Sequence, residues 1–170
     1  MKITLLHWAA EEGYLDLIAK IFEVCEKDGR TAEVFNAKDN IGTTALHNAA
    51  RAGQEETCKF LIGKGCDVNE VNNYRDSPLH CAAELGQIST CKALLEKGAN
   101  PDNQNEDENT PYHLAQDNIG EDTAKEIFEL ISEFMAKKQN NDKRPGSAPS
   151  PTNSGSNLTN SQSQNVPDLP

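Results

Sequence analysis

The stretch Ser77-Pro78-Leu79-His80-Cys81-Ala82-Ala83-Glu84-Leu85-Gly86 decides the fold. Ser77 reads as a helix N-cap, because its side-chain oxygen can take a backbone N–H that a starting helix leaves orphaned. Pro78 suits the first turn, where its missing N–H would be unpaired anyway. Leu79, Ala82 and Ala83 give a short helix with a small-residue face, which lets a neighbour approach closely. Gly86 can adopt the left-handed conformation that ends it. A second helix is predicted from about Ile88 to Lys97, with Cys91, Leu94 and Leu95 at i, i+3 and i+4 as its apolar stripe. Gly98 ends that helix, and the polar stretch Asn100–Asn109 leads onward. Helices this short are marginal alone in water, so stacking must bury them.

The same phrase stands at three other places, as TLLHWAA around His7, TALHNAA around His47 and TPYHLAQ around His113. The histidines are separated by 40, 33 and 33 residues. Aligning 44–70 on 77–103 gives 12 identities in 27 positions. A fixed period of this size marks a stack of repeated supersecondary units. The pattern resembles the ankyrin repeat. The phrase T-P-L-H-x-A-A is matched by Thr110, Pro111 and His113, and by Ser77, Pro78, Leu79, His80, Ala82 and Ala83. The hairpin phrase D-x-x-G-x-T appears as Asp39, Gly42 and Thr44. The phrase G-A-D-V-N appears as Gly65, Cys66, Asp67, Val68 and Asn69, and as Gly98, Ala99 and Asn100.

The resemblance covers residues 3–136. It implies an all-α ankyrin-repeat solenoid of about four helix-turn-helix repeats with β-hairpin-like loops, at about 1–40, 41–73, 74–106 and 107–136, in a domain spanning 1–138. The departures from the pattern are specific. No hairpin half precedes Thr4. Seven extra residues follow the first repeat, placed at Glu26–Glu33 as a longer helix end or a surface loop. Ala45 replaces the usual proline. Arg75 and Glu108 replace the hairpin glycine, so those tips are expected to turn differently. The pattern fades after Ala115.

Both ends read as caps, which a solenoid needs. Thr123 and Glu126 have capping-box spacing, and Ala124, Ile127, Phe128, Ile131, Phe134 and Met135 form one apolar face behind them. Asp16, Lys20, Glu23 and Lys27 make a polar stripe in the first repeat. The array is therefore expected to be self-sufficient. From Gln139 to Pro170 the chain is rich in Ser, Asn and Pro without apolar periodicity, which predicts a disordered tail. The sequon Asn157-Leu158-Thr159 lies in that tail and is expected to be idle.

The formal net charge of −11 repels phosphate backbones and argues against nucleic acid. No apolar run is long enough to span a bilayer, and the N-terminus is not a secretory signal, so a soluble protein with no membrane partner is expected. Five cysteines with no C-x-x-C favour reduced thiols and a cytoplasmic location. Host-cell cytosol would fit equally if the chain were an exported effector of an intracellular bacterium. No metal-ligand spacing and no nucleotide-binding or nucleophile-elbow motif is present. No catalytic residue, no metal and no cofactor is therefore expected. Cys58 and Cys91, 33 apart, read as small core residues, while Cys66 and Cys81 fall at repeat positions that can be partly exposed. The resemblance implies that the four equivalent histidines bond the backbone and tie hairpins to helices.

The resemblance also implies binding through hairpin tips and the outer face of each first helix. Carried over residue by residue, the candidates are Trp8, Glu11 and Glu12 in the first repeat, Ile41 and Arg51 in the second, Tyr74, Asp76 and Glu84 in the third, and Asp107 in the fourth. Trp8, Arg51 and Tyr74 are of the types enriched at interface hot spots. The expected function is a monomeric, non-enzymatic protein-interaction module acting as an adaptor or inhibitor. The alternative is a regulatory or targeting subunit of an enzyme, or an exported effector, using the tail as a docking or export segment.

Overall fold

A computed structural model describes residues 4–142, with side chains to Lys137. The described residues form helices and turns, without strands. Four inner helices, α1 (Leu5–Glu11), α4 (Ala45–Arg51), α6 (Pro78–Glu84) and α8 (Pro111–Asn118), stack side by side in chain order. Each is followed by an outer helix: α2 (Leu15–Lys27), α5 (Glu55–Gly63), α7 (Ile88–Glu96) and α9 (Glu121–Asp142). The last three outer helices pack in a second layer. Inner helices begin at 5, 45, 78 and 111 and outer ones at 15, 55, 88 and 121, so the structure keeps the spacing of the histidines.

The core runs continuously between the layers. Leu6, Leu46 and Leu79 are buried from the inner helices, and Leu61, Leu94 and Ile127, each 33 residues on from the last, are fully buried from the outer ones. Alanine pairs Ala9–Ala10, Ala49–Ala50 and Ala82–Ala83 are almost wholly inaccessible, which is the close inner-helix approach expected of small residues.

Histidines join one repeat to the next. Nε2 of His7, His47 and His80 donates to the backbone carbonyls of Thr43, Asp76 and Asn109, at 2.9, 3.0 and 3.0 Å. A carbonyl only accepts, so Nε2 carries the proton and Nδ1 is left as an acceptor. The Thr44 and Ser77 backbone N–H groups donate to that Nδ1 in His47 and His80. His113 makes the same local bond from Thr110 but is exposed, and no carbonyl faces its Nε2 among the described residues.

The insertion after repeat one proves to be both a longer helix and a further one. Outer helix α2 has 13 residues against 9 in α5 and α7. Gly29 then turns the chain into α3 (Thr31–Phe35), whose Phe35 is buried edge-on against Phe22 at 5.6 Å.

Two expectations need correction. The hairpin tips do not turn differently where glycine is missing. Arg75 and Glu108 take φ of 61° and 62°, in the same left-handed region as Gly42 at 77°. The conformation is imposed by an anchor that the sequence reading overlooked. Oδ1 of Asp39, Asn72 and Asn105 each accepts two backbone N–H bonds across its own tip, at 2.9–3.0 Å. The tips are also stitched together, Asn73 N–H donating to Ile41 O and Glu106 N–H to Tyr74 O, both at 2.9 Å. Secondly, Thr123 does not cap the last helix; α9 starts at Glu121, and the Ala124 N–H bonds Gly120 O.

At its other end α9 continues to Asp142, past the boundary expected at 138. Gly65 and Gly98, at positive φ, follow α5 and α7, but the equivalent position holds Ile131. Without that stop the helix runs on and no fifth hairpin forms among the described residues. The tail from 143 and its sequon lie outside the described residues.

Candidate functional site

Inner helices and hairpin tips line a groove of about 400 Å³ formed by Glu11, Asp39, Ile41, Thr43, Asn48, Arg51, Ala52 and Leu85. Repeat stacking explains this composition. Glu11 ends α1, Asn48 and Arg51 sit on α4, Leu85 caps α6, and the residues 39–43 form the first tip. The inner helices turn their leucines, histidines and alanine pairs into the core, so these other side chains are what remains on the open side.

Three of the candidates named from sequence, Glu11, Ile41 and Arg51, meet in this groove. Asp76 and Glu84 lie close enough to act on the Arg51 charge. Burial disfavours the guanidinium, and the Cys81 thiol together with Glu84 and Asp76 more than offsets this, holding Arg51 above its usual pKa. Tyr74 is 53% exposed at the second tip and Asp107 is exposed at the third. Trp8 is 44% exposed and stacks edge-on against Tyr14 at 5.2 Å, beside the groove rather than in it. Glu12 is exposed at the C-cap of α1. The sequence reading missed Asp39 as part of the groove, although its hairpin motif was visible.

The electrostatics are lopsided. On the inner helices and the tips at 39–43, 72–76 and 105–109 stand Glu11, Asp39, Asp76, Glu84, Glu106, Asp107, Glu108 and Asp117, against Arg51 and Arg75. No lysine occurs in any of these segments. The described lysines lie on outer helices and their connections, where Lys59 reaches Glu55 and Glu56 and Lys38 reaches Glu70.

Four of the five thiols and three of the four imidazole rings are buried in the fold. Cys66 and Cys81 are buried, which corrects the expectation of partial exposure. Burial pushes Cys58 and Cys91 up to about 12 and Cys66 and Cys81 up to about 11. These thiols are protonated at neutral pH and are poor nucleophiles. Among the described residues no three His, Cys, Asp or Glu side chains converge in a way that could hold a metal ion. No described helix is long and apolar enough to cross a membrane.

The family model for ankyrin repeats (3 copies) matches residues 6–105 and 70–142. Among curated proteins, the chain is 36% identical over 69 residues to mouse protein phosphatase 1 regulatory subunit 12A, covering 41% of this chain and 6% of that protein. It is 39% identical over 67 residues to human transient receptor potential cation channel subfamily A member 1, covering 39% of this chain and 6% of the channel subunit. It is 39% identical over 66 residues to palmitoyltransferase akr1 of Schizosaccharomyces pombe, covering 39% of this chain and 9% of that protein. The chain thus matches less than a tenth of the length of each of these relatives.

Proposed function

This chain belongs to the ankyrin-repeat family, and on that premise we propose that it is a non-enzymatic protein-binding module, an adaptor or inhibitor, that receives its partner on the groove side. The observation that carries this reading is the groove itself. Exposed side chains that fill no core, Glu11, Ile41 and Leu85, gather there beside Arg51, while His7, His47, His80 and four buried thiols are spent on the fold. Exposed Tyr74 and Trp8 flank it with large, stiff contact area of the kind interfaces use. A monomer in a reducing, cytoplasmic compartment suits the free thiols.

The test is recovery of partners from a cytosolic extract. Trp8→Ala, Arg51→Ala and Tyr74→Ala combined should release them, with the fold intact by circular dichroism. If every partner remains bound, the groove side is not the binding face.

A second reading is a regulatory or targeting subunit of an enzyme. It is favoured by the similarity to a protein phosphatase 1 regulatory subunit. Because α9 reaches Asp142, the informative deletion removes 143–170. Loss of an associated enzyme on that deletion supports this reading; retention favours the first.

A further inference from the structure

The groove's lining specifies what enters it, on the reading that the groove side is the binding face. Thr43 lies at its base, only 6% exposed, and its hydroxyl is buried with no hydrogen-bond partner. A buried hydroxyl left unpaired is unfavourable, so this group favours a ligand that bonds it. At the equivalent place in the next tip the need is already met, since Asp76 Oδ1 accepts from Asn105 Nδ2 at 2.9 Å.

Ile41 and Leu85, 41% and 50% exposed, form apolar walls with Ala52. Glu11 stands on the rim. Asp39 lines it too, its Oδ1 accepting two backbone N–H bonds. Asp76 and Glu84 act on Arg51, so with Glu11 and Asp39 in the lining four carboxylates stand at or beside a groove that holds one guanidinium. None of the ion pairs between described residues engages those carboxylates.

We propose that this groove takes a lysine or arginine side chain from a basic segment of a partner protein. The methylene stem lies along Ile41, Ala52 and Leu85, which is how long cationic side chains cover apolar surface. The head donates to the carboxylate of Glu11 and to the Thr43 hydroxyl. The further acidic tips, Glu106 to Glu108, draw the rest of the segment along the array and raise its rate of encounter.

The test uses the full chain, with acetylated and amidated decalysine as probe and decaglutamate as its opposite, followed by amide NMR shifts at low ionic strength. Decalysine should shift amides at 41–43, 48–52 and 84–85, and binding should weaken as salt rises. Glu11→Gln with Glu84→Gln should weaken it about fivefold, the size expected of two partly exposed charge contacts. Glu23→Gln with Glu129→Gln, the same loss of charge on exposed outer-helix positions, should change it less than about twofold. Shifts spread evenly over the acidic surface, equal weakening by both pairs, or no binding of decalysine would overturn the proposal. So would tighter binding of decaglutamate, which would make Arg51 the anchor for an acidic partner. Partners that leave the triple variant while decalysine ignores the groove sink this inference alone. Partners that stay on the triple variant sink the binding face itself.

Discussion

Cys25 differs from the other four cysteines, because it is half-buried on α2 while the rest are closed off in the core. A thiol must be both ionised and reachable to attack a disulfide reagent. The native protein should therefore consume one equivalent of an aromatic disulfide reagent quickly, and the remaining thiols should react only on unfolding. Cys25→Ser should abolish the fast phase, and a fast phase surviving it would mean that Cys81 is open beneath Arg51. Spacing made Cys58 and Cys91 legible as core. Cys81 was harder, because its cover is Arg51 from the neighbouring repeat, a contact no single repeat displays. His47 gives a second measurement. Burial pushes its pKa down to about 4, although its bond to the Asp76 carbonyl works the other way. The unfolded ring titrates near 6.5. Between those values the unfolded state binds more protons, so acid favours unfolding. This ring should contribute a loss of about 3 kcal/mol as pH falls from 6.5 to 4, and nothing further below that. Urea unfolding at stepped pH checks it, and His47→Gln should flatten the slope through this window.

Hairpin tips show how an element can hold its shape against a residue's preference. A left-handed backbone costs a residue with a Cβ about 1–2 kcal/mol, and glycine nothing. Arg75 and Glu108 accept that cost because Asn72 and Asn105 fix the tips around them. Arg75→Gly or Glu108→Gly should thus stabilise the array by about 0.5 kcal/mol, the relieved strain less glycine's greater freedom in the unfolded chain. Asn105→Ala should cost about 2 kcal/mol, because it frees two backbone donors and the bond to Asp76. Urea midpoints measure both. If the glycine variants are less stable, the tips are not strained as described. The sequence pointed to altered tips because a missing glycine is conspicuous. The true determinant, Asp39, Asn72 and Asn105 at intervals of 33, was equally present but is a subtler signal than glycine. Helix starts were legible for the converse reason: Ser77, Pro78 and His80 act within one turn, and the structure places them as N-cap, first residue and capping-box partner. The run-on of α9 was legible only by noticing that Ile131 stands where Gly65 and Gly98 end the earlier outer helices.

At the scale of the whole molecule, charge is sorted between the two sides. Carboxylates on the inner helices and tips form no ion pair with a described lysine, whereas ion pairs lie on outer helices and connections, at surface exposures where each contributes little. Self-repulsion on the groove side should therefore outweigh the attraction elsewhere. Salt screens both over about a Debye length, so its net effect reports which dominates. Raising sodium chloride from about 20 to about 300 mM should raise the thermal midpoint of the native array. Glu106→Gln together with Glu108→Gln should raise the midpoint at low salt and reduce its further rise, since those two exposed carboxylates flank Asp107 at one tip. A midpoint that fell with salt would mean that the outer pairs hold the array together. It would also mean that repulsion among the groove-side carboxylates is the smaller effect, so this melting curve weighs the two faces against each other.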